Sequence, residues 1–189
     1  MLLRPSGAAH ILGVRFLPQG AGQWLGFPMQ ELAGTTLPIA DLSPALARDL
    51  APVFESAAPL QRLQTTLRRA QIAEDPLVSE AVRLIAGSNG VDGVRSLAAH
   101  LGLSWRQLER RFASRVGLSP KLLSRIQRFF DVFQHIEDGS PNWVNIAAQC
   151  GYYDQAHLIR DCKDFSGTTP AVLLAEDALA RHFLSPRSI

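Results

Sequence analysis

Cysteine is scarce in this 189-residue sequence: only Cys150 and Cys162 occur, neither in a CxxC pair nor near a suitably spaced histidine cluster. This argues against a disulfide framework and against a structural zinc site. Apolar runs of about 18 residues, the length of a membrane span, are also missing. The start, MLLRPSGAAHILGVRFLPQG, is interrupted at Arg4, Pro5 and Gly7 before the apolar core of a signal peptide could form. We therefore expect a cytoplasmic protein with no membrane partner.

Catalytic and cofactor motifs are missing as well. The five histidines are scattered, and no HExxH, GxSxG or phosphate-loop pattern occurs. No Ser, Cys or His has an identifiable catalytic neighbour in the sequence, and the two cysteines are typical of core thiols. We expect no enzyme activity, no metal ligand and no cofactor.

Charge is nearly balanced over the whole chain, at +2, but not along it. Between residues 104 and 128 a single anion, Glu109, opposes the seven cations Arg106, Arg110, Arg111, Arg115, Lys121, Arg125 and Arg128. A local excess of about six positive charges can face a phosphate backbone. On charge alone, a solvated helical face explains the excess equally well.

The first 74 residues are predicted to form a short region of their own. Residues 1–40 contain six of the fourteen glycines, with short apolar runs between them, which is typical of strands and turns. Residues 43–70 show leucines at helical spacing. We predict a small α+β region, β-rich over 1–40 and helical over 43–70, that is too short to close a barrel and is a candidate dimerisation surface.

Residues 75–180 are predicted to form an all-α domain of seven helices, followed by a tail over 181–189. Asp75-Pro76 is a helix start, with Asp as the N-cap and Pro at the first helical position, and Gly87 is a stop. From there to about Glu176 the strong periodicities are helical. The fold class is therefore mainly α.

An internal repeat divides this domain. Leu97–Gly102 recurs as Ile146–Gly151 at an offset of 49, and Ser119-Pro120 recurs as Thr169-Pro170 at an offset of 50. In each copy an Ala lies four residues before a Gly, which allows two helices to approach and the chain to turn, and an apolar-periodic helix follows. The repeat predicts two helix-turn-helix units, with a simple αα-hairpin repeat as the alternative.

The second helix of each copy has an apolar face and a polar face. Helical spacing places these residues on the apolar faces: Trp105, Leu108, Phe112 and Val116 in the first copy, and Leu158, Cys162 and Phe165 in the second. The opposite faces carry Arg106, Arg110, Ala156, Arg160 and Lys163. Arginine suits guanine edges and phosphates, so two such helices could enter successive major grooves about 34 Å apart.

A long helix is predicted between the two copies. Ser119-Pro120 caps it, and an apolar stripe runs over the fifteen residues from Leu122 to Ile136. Its other side carries Lys121, Arg125 and Arg128. We interpret these three cations mainly as solubilising residues, with phosphate contact as the alternative.

These motifs resemble the DNA-binding domain of the AraC/XylS family of bacterial transcription regulators. The resemblance covers about Leu77 to Ala175 and is most specific over 103–112, 117–120, 146–160 and 167–170. It implies two helix-turn-helix units joined by a long helix, double-stranded promoter DNA as the partner, and recruitment of RNA polymerase. The DNA contacts that it implies are Arg106, Gln107, Glu109 and Arg110 in the first unit, and Gln155, Ala156, His157 and Arg160 in the second.

Two features depart from the family. Cys162 stands where a Phe is usual, which predicts either looser packing of the second unit or a buried Cys that serves there as a small hydrophobe. The short N-terminal region resembles only the end of the family's sensory β domain, which leaves binding of a small-molecule effector open. The predicted function is a sequence-specific DNA-binding transcription regulator. The alternative is a protein-interaction module of the same fold that modulates another regulator without binding DNA.

Overall fold

The computed structural model describes residues 12–69, 74–91, 93–136 and 141–175. Within these ranges every regular element is helical and no strand occurs, which confirms the mainly-α prediction. None of the described helices has the length and apolar character to cross a membrane. The α-helices are α1 (Gly20–Leu25), α2 (Ile39–Leu42), α3 (Pro44–Phe54), α4 (Pro59–Arg69), α5 (Pro76–Gly87), α6 (Val94–His100), α7 (Trp105–Arg115), α8 (Pro120–Val132), α9 (Trp143–Gln149), α10 (Gln155–Ser166) and α11 (Pro170–Ala175), and the 3₁₀ segments are Met29–Glu31 and Phe133–His135.

The prediction of a β-rich segment over 1–40 is wrong for its described part, residues 12–40. Gly26 and Gly34 turn the chain with φ of 65° and 73°, but between helical segments and not between strands, and Gly22 serves close backbone packing. A Cβ atom on Gly22 would overlap the carbonyl oxygen of Arg115, and one on Gly117 would lie 2.7 Å from that of Met29. The predicted α+β region is therefore helical where it is described, and its resemblance to the end of a β domain is not supported. Residues 1–11 lie outside the described residues.

The helical prediction for 43–70 holds over α3 and α4. Ser43 caps α3 by accepting a hydrogen bond from the backbone N–H of Leu46 at 3.3 Å. The indole Nε1 of Trp24 donates to the carbonyl of Leu67 at 3.2 Å, which ties α1 to α4. Residues 70–73, which follow α4, and the predicted tail over 181–189 lie outside the described residues.

The chain divides into two compact units that do not follow the predicted boundary. One unit groups the residues up to Val78 with Arg110–Gly117, and the other groups Ser79–Glu109 with the residues from Leu118 onward. Helix α7 thus contributes its first turns to one unit and its last turns to the other. The functional division into 1–74 and 75–180 remains a prediction.

Asp75 performs two tasks in the first unit. Its Oδ1 accepts a hydrogen bond from the N–H of Val78 at 3.3 Å, so it caps α5 as the Asp-Pro pattern predicts. Its Oδ2 accepts one from Arg111 at 2.6 Å. Because Asp75 is buried, the guanidinium offsets the cost of removing the carboxylate from water.

The second unit contains the core around the long helix. Its buried side chains are Phe129, Val132, Phe133, Ile146, Ala147, Cys150, Tyr152, Leu158, Cys162 and Leu173. Cys162 is 1% exposed and belongs to this core, as expected of a Cys that serves as a small hydrophobe. The ring of Phe165, three residues further on, packs 5.4 Å from that of Phe129 and supplies aromatic surface near the thiol.

The predicted repeat is present in the backbone. Gly102 and Gly151 turn with φ of 67° and 70°, and the residue after each glycine donates to the carbonyl of the matching alanine, Ala98 or Ala147, at 2.9 Å. The α-helices from Pro76 onward number seven in the described residues, as predicted. The linker helix is shorter than expected, since α8 ends at Val132 and continues only as a 3₁₀ turn.

Gly90 allows the turn after α5 to touch α8. Its φ is 74°, and a Cβ atom there would overlap the carbonyl oxygen of Ser124. We expect Gly90→Ala to lower the free energy of unfolding by about 2–4 kcal/mol. Alanine is strained in the left-handed backbone conformation, and its Cβ atom would push the turn away from α8. Urea denaturation measures this loss.

Gly87→Ala is the matched control, because Gly87 is helical and nothing lies within 4 Å of its added Cβ. We expect it to stabilise the protein by about 0.4–1 kcal/mol. Equal effects of the two substitutions would contradict the proposed contact with Ser124.

Candidate nucleic-acid interface

A capping box begins α7. The side-chain carbonyl of Gln107 accepts hydrogen bonds from the backbone N–H and the hydroxyl of Ser104, at 2.8 and 2.9 Å. The backbone N–H of Gln107 donates to the Ser104 hydroxyl oxygen at 3.3 Å. These reciprocal bonds fix where the helix starts. Because the side-chain oxygen of Gln107 already accepts these bonds, only its NH₂ group is available to donate a hydrogen bond to a DNA base.

The two faces of α7 differ as the spacing predicts. Leu108 and Phe112 are 0% exposed. Arg106 and Arg110 are exposed, and Glu109 is half-buried. Because Arg106 and Arg110 are four residues apart, they project from the same side of the helix, about one turn from each other.

Helix α10 repeats this arrangement. The side chain of Asp154 caps it, accepting from the N–H of His157 at 2.7 Å. Leu158 and Cys162 are buried, whereas Ala156 and Arg160 are exposed. Gln155 and His157 are half-buried. The Tyr152 ring packs edge-on against the His157 ring at a centroid distance of 5.2 Å and limits its orientation.

A cleft of about 650 Å³ in the second unit brings together cations from α6, α8 and α10. Trp105, the first residue of α7, and the α10 residues His157 and Arg160 line it. The other charged lining residues are Arg95 from α6, Lys121, Arg125 and Arg128 from α8, and Asp161 from α10. Five Arg or Lys side chains against one carboxylate make the cleft positive, which favours a polyanion.

Arg125 ties α8 to α10. Its guanidinium contacts Asp161 at 2.8 Å and Asp164 at 2.5 Å, and it lies over the Phe165 ring at 5.1 Å. The hydrogen bond that Arg125 donates to Asp161 raises the pKa of Arg125 above its ordinary value. Asp161 is 1% exposed, and its Oδ2 has no hydrogen-bond partner in the described part of the chain. Arg125 therefore supplies the opposite charge for a carboxylate that would otherwise be buried without an ionic partner.

Arg128 is also a structural residue. It donates to the Gly90 carbonyl at 3.0 Å and lies over the Tyr152 ring at 5.2 Å. Burial raises the pKa of Tyr152 and keeps its phenol neutral. The interpretation of Arg125 and Arg128 as mainly solubilising residues is thus wrong, because both are partly buried and hold elements together.

Arg95, Lys121 and Arg160 remain as the accessible cations of the cleft. All three are exposed, and none forms an ion pair with another described residue. Sequence reasoning named Arg160 but missed Arg95, for which the sequence gives no separate signal.

The Arg125–Asp161 pair was missed too, although one signal was present. Asp161 lies three residues after Leu158 and one before Cys162, on the apolar side of α10. A carboxylate at an inward position needs a cationic partner nearby. The sequence does not reveal that the partner is Arg125, 36 residues earlier.

The described helices from α6 onward are consistent with a helix-turn-helix domain. Residues 97–176 match the family model described as a helix-turn-helix domain. The matched model is of the AraC-type helix-turn-helix, which confirms the resemblance drawn from the sequence over this segment. Domains of this class support DNA binding and transcription regulation.

Two curated relatives, from two strains of Mycobacterium tuberculosis, are each named probable bifunctional transcriptional activator/DNA repair enzyme AlkA. Each is 40% identical over 77 residues, which are 40% of this chain and 16% of the relative. The chain thus spans about a sixth of the length of the curated relatives that it matches. No solved structure matches at a significant level.

Proposed function

We propose that this protein is a sequence-specific transcription regulator that inserts α7 and α10 into successive major grooves of promoter DNA. The observation that carries the proposal is the repeated unit, in which a capped helix buries its apolar face and exposes an arginine at the equivalent positions 110 and 160. Exposed arginines at equivalent positions suit two helices that each contact base edges in a major groove.

Each predicted site residue has a role that its exposure and chemistry allow. Arg106, Arg110 and Arg160 are donors for guanine edges or phosphates. Glu109 accepts from cytosine, and the methyl group of Ala156 meets a thymine methyl. Gln155, His157 and the amide NH₂ of Gln107 supply further polar contacts. Residue by residue, these assignments remain proposals.

The cleft adds contacts that do not depend on sequence. Arg95 and Lys121 are exposed, positively charged and without ion-pair partners among the described residues. Such cations bind phosphates and release counterions, which strengthens binding at low salt and fixes the register on the duplex. We assign these two residues to the phosphate backbone.

The regulator acts by binding and performs no catalysis in this proposal. The relatives' name includes transcriptional activation and DNA repair, but the match covers only a small part of their length. It supports the regulatory role alone. Recruitment of RNA polymerase, a homodimer formed through the N-terminal region and a cytoplasmic location belong to the same proposal, while an effector remains open.

Selection from randomised duplex DNA tests the proposal. The purified chain is mixed with the DNA pool, and the retained sequences are read after binding at low and at moderate salt. We expect a motif with two elements whose centres lie about 10 base pairs apart, since α7 and α10 would occupy adjacent major grooves.

Two results would overturn this expectation. Binding without a motif that disappears at moderate salt would leave only the electrostatic interaction with phosphates. No binding by the folded chain would favour the protein-interaction module.

A further inference from the structure

A carboxylate, an imidazole and a thiol meet at the end of the long helix, and none of the three is among the residues assigned to DNA. Asp131 lies in α8, His135 in the following 3₁₀ turn, and Cys150 at the C-cap of α9. The Asp131 Oδ2 atom is 3.4 Å from the His135 Nε2 atom. One ligand atom from each residue lies within 4.8 Å of those of the other two.

The spacing suits a tetrahedral metal ion. Bonds of about 2.0–2.3 Å place the ligand atoms of such an ion roughly 3.3–3.8 Å apart. The Asp131–His135 distance already falls in this range, and the sulfur of Cys150, within 4.8 Å of both ligand atoms, is the one that must move closer on binding. The set of one oxygen, one nitrogen and one sulfur is typical of zinc and is also accepted by cobalt(II).

The burial of these residues favours a bound metal ion over three side chains that are each hydrated by solvent. Cys150 is 0% exposed, the Asp131 side chain is 11% exposed, and the His135 side chain is 37% exposed.

We propose that Asp131, His135 and Cys150 bind a divalent cation of the zinc class, with water at the fourth position. On binding, the Cys150 thiol loses its proton to solvent and the thiolate sulfur bonds to the metal, with no change of oxidation state. The site joins the end of α8 to the Cys150-Gly151 turn that leads into α10. The ion therefore stabilises the second helix-turn-helix unit and does not depend on DNA binding.

Cobalt(II) titration tests the site. The full chain is treated with chelator and reductant, freed of both, and titrated while the near-ultraviolet spectrum is recorded. We expect one cobalt per chain, a thiolate-to-cobalt charge-transfer band, and a higher melting temperature with zinc.

Three variants locate the ligands. Cys150→Ser is expected to abolish the band. Cys162→Ser is the matched control and keeps it, because Cys162 is equally buried but outside the cluster. His135→Ala removes a metal ligand and is expected to weaken cobalt binding by at least about tenfold. Loss of a residue that only hydrogen-bonds to a metal ligand already costs about this much affinity, and loss of the ligand itself costs no less. His135 is exposed, so this variant keeps the test valid if Cys150→Ser fails to fold.

Three results would overturn the proposal. The folded chain could show no charge-transfer band, the Cys150→Ser protein could retain it, or His135→Ala could bind cobalt as tightly as the unchanged chain. Asp131 and His135 would then form a simple ion pair beside a core thiol.

Discussion

Replacing Arg160 or Arg110 by alanine is expected to weaken binding to the selected DNA by about tenfold or more, because a bidentate arginine–base contact contributes about 1–3 kcal/mol. Both side chains are exposed and occupy equivalent places in the two repeats. Each variant should therefore keep its helicity and melting temperature. Titration of labelled DNA by fluorescence anisotropy, at one fixed salt concentration, measures the loss.

The same titration separates base contacts from phosphate contacts. Lys121→Ala is expected to weaken binding to all sequences alike and to reduce the slope of log affinity against log salt by about one unit. Arg83→Ala is the control for lost charge, since Arg83 is exposed on α5 and paired with Glu80. If the Arg110 and Arg160 variants bind as tightly as the Arg83 variant, the proposed reading face is wrong.

Substitution of Arg125 by methionine is expected to lower the free energy of unfolding by about 3 kcal/mol, because it leaves a buried carboxylate without its partner. Asp161 has only 2% of its side chain exposed, while Arg125 has 29%. Methionine keeps much of the length and the apolar stem of arginine, so the loss reports on charge more than on volume. Urea denaturation followed by circular dichroism measures it.

Two further variants isolate that pair. Asp164→Asn removes the other partner of Arg125, whose side chain is 52% exposed, and is expected to cost less than about 1 kcal/mol. The double variant Arg125→Met, Asp161→Leu should recover much of the stability, since it removes both charges. If Arg125→Met costs no more than Asp164→Asn, the ion pair with Asp161 does not stabilise the packing of α10.

The helical repeat could be predicted because its signals are local. Glycines at the two turns, Ser119-Pro120 and the apolar spacing of α7 and α10 each determine structure within a few residues. The exposed positions of Arg106, Arg110 and Arg160 follow from the same periodicity. Their contacts with DNA remain a prediction, since exposure does not identify the partner.

The features that were missed depend on residues far apart in the sequence. Gly22 indicated a turn, but its small size serves a backbone contact with Arg115. Asp161 finds Arg125 across 36 residues. Cys150 meets Asp131 and His135 only after α8 and α9 have packed. Spacing rules for metal sites search for ligands within one short motif, so they do not detect this cluster.

The sharing of α7 between two compact units limits how this protein can be cut or recombined. The end of α7 contacts Gly22 and Asp75, whereas α10 belongs entirely to the second unit. A chimera that exchanges α8–α11 keeps the described partners of α10 with it. One that exchanges α7 must bring residues 20–32 and Asp75 as well. The two repeats are therefore similar in sequence, but only the first needs residues from the N-terminal part of the chain when it is exchanged.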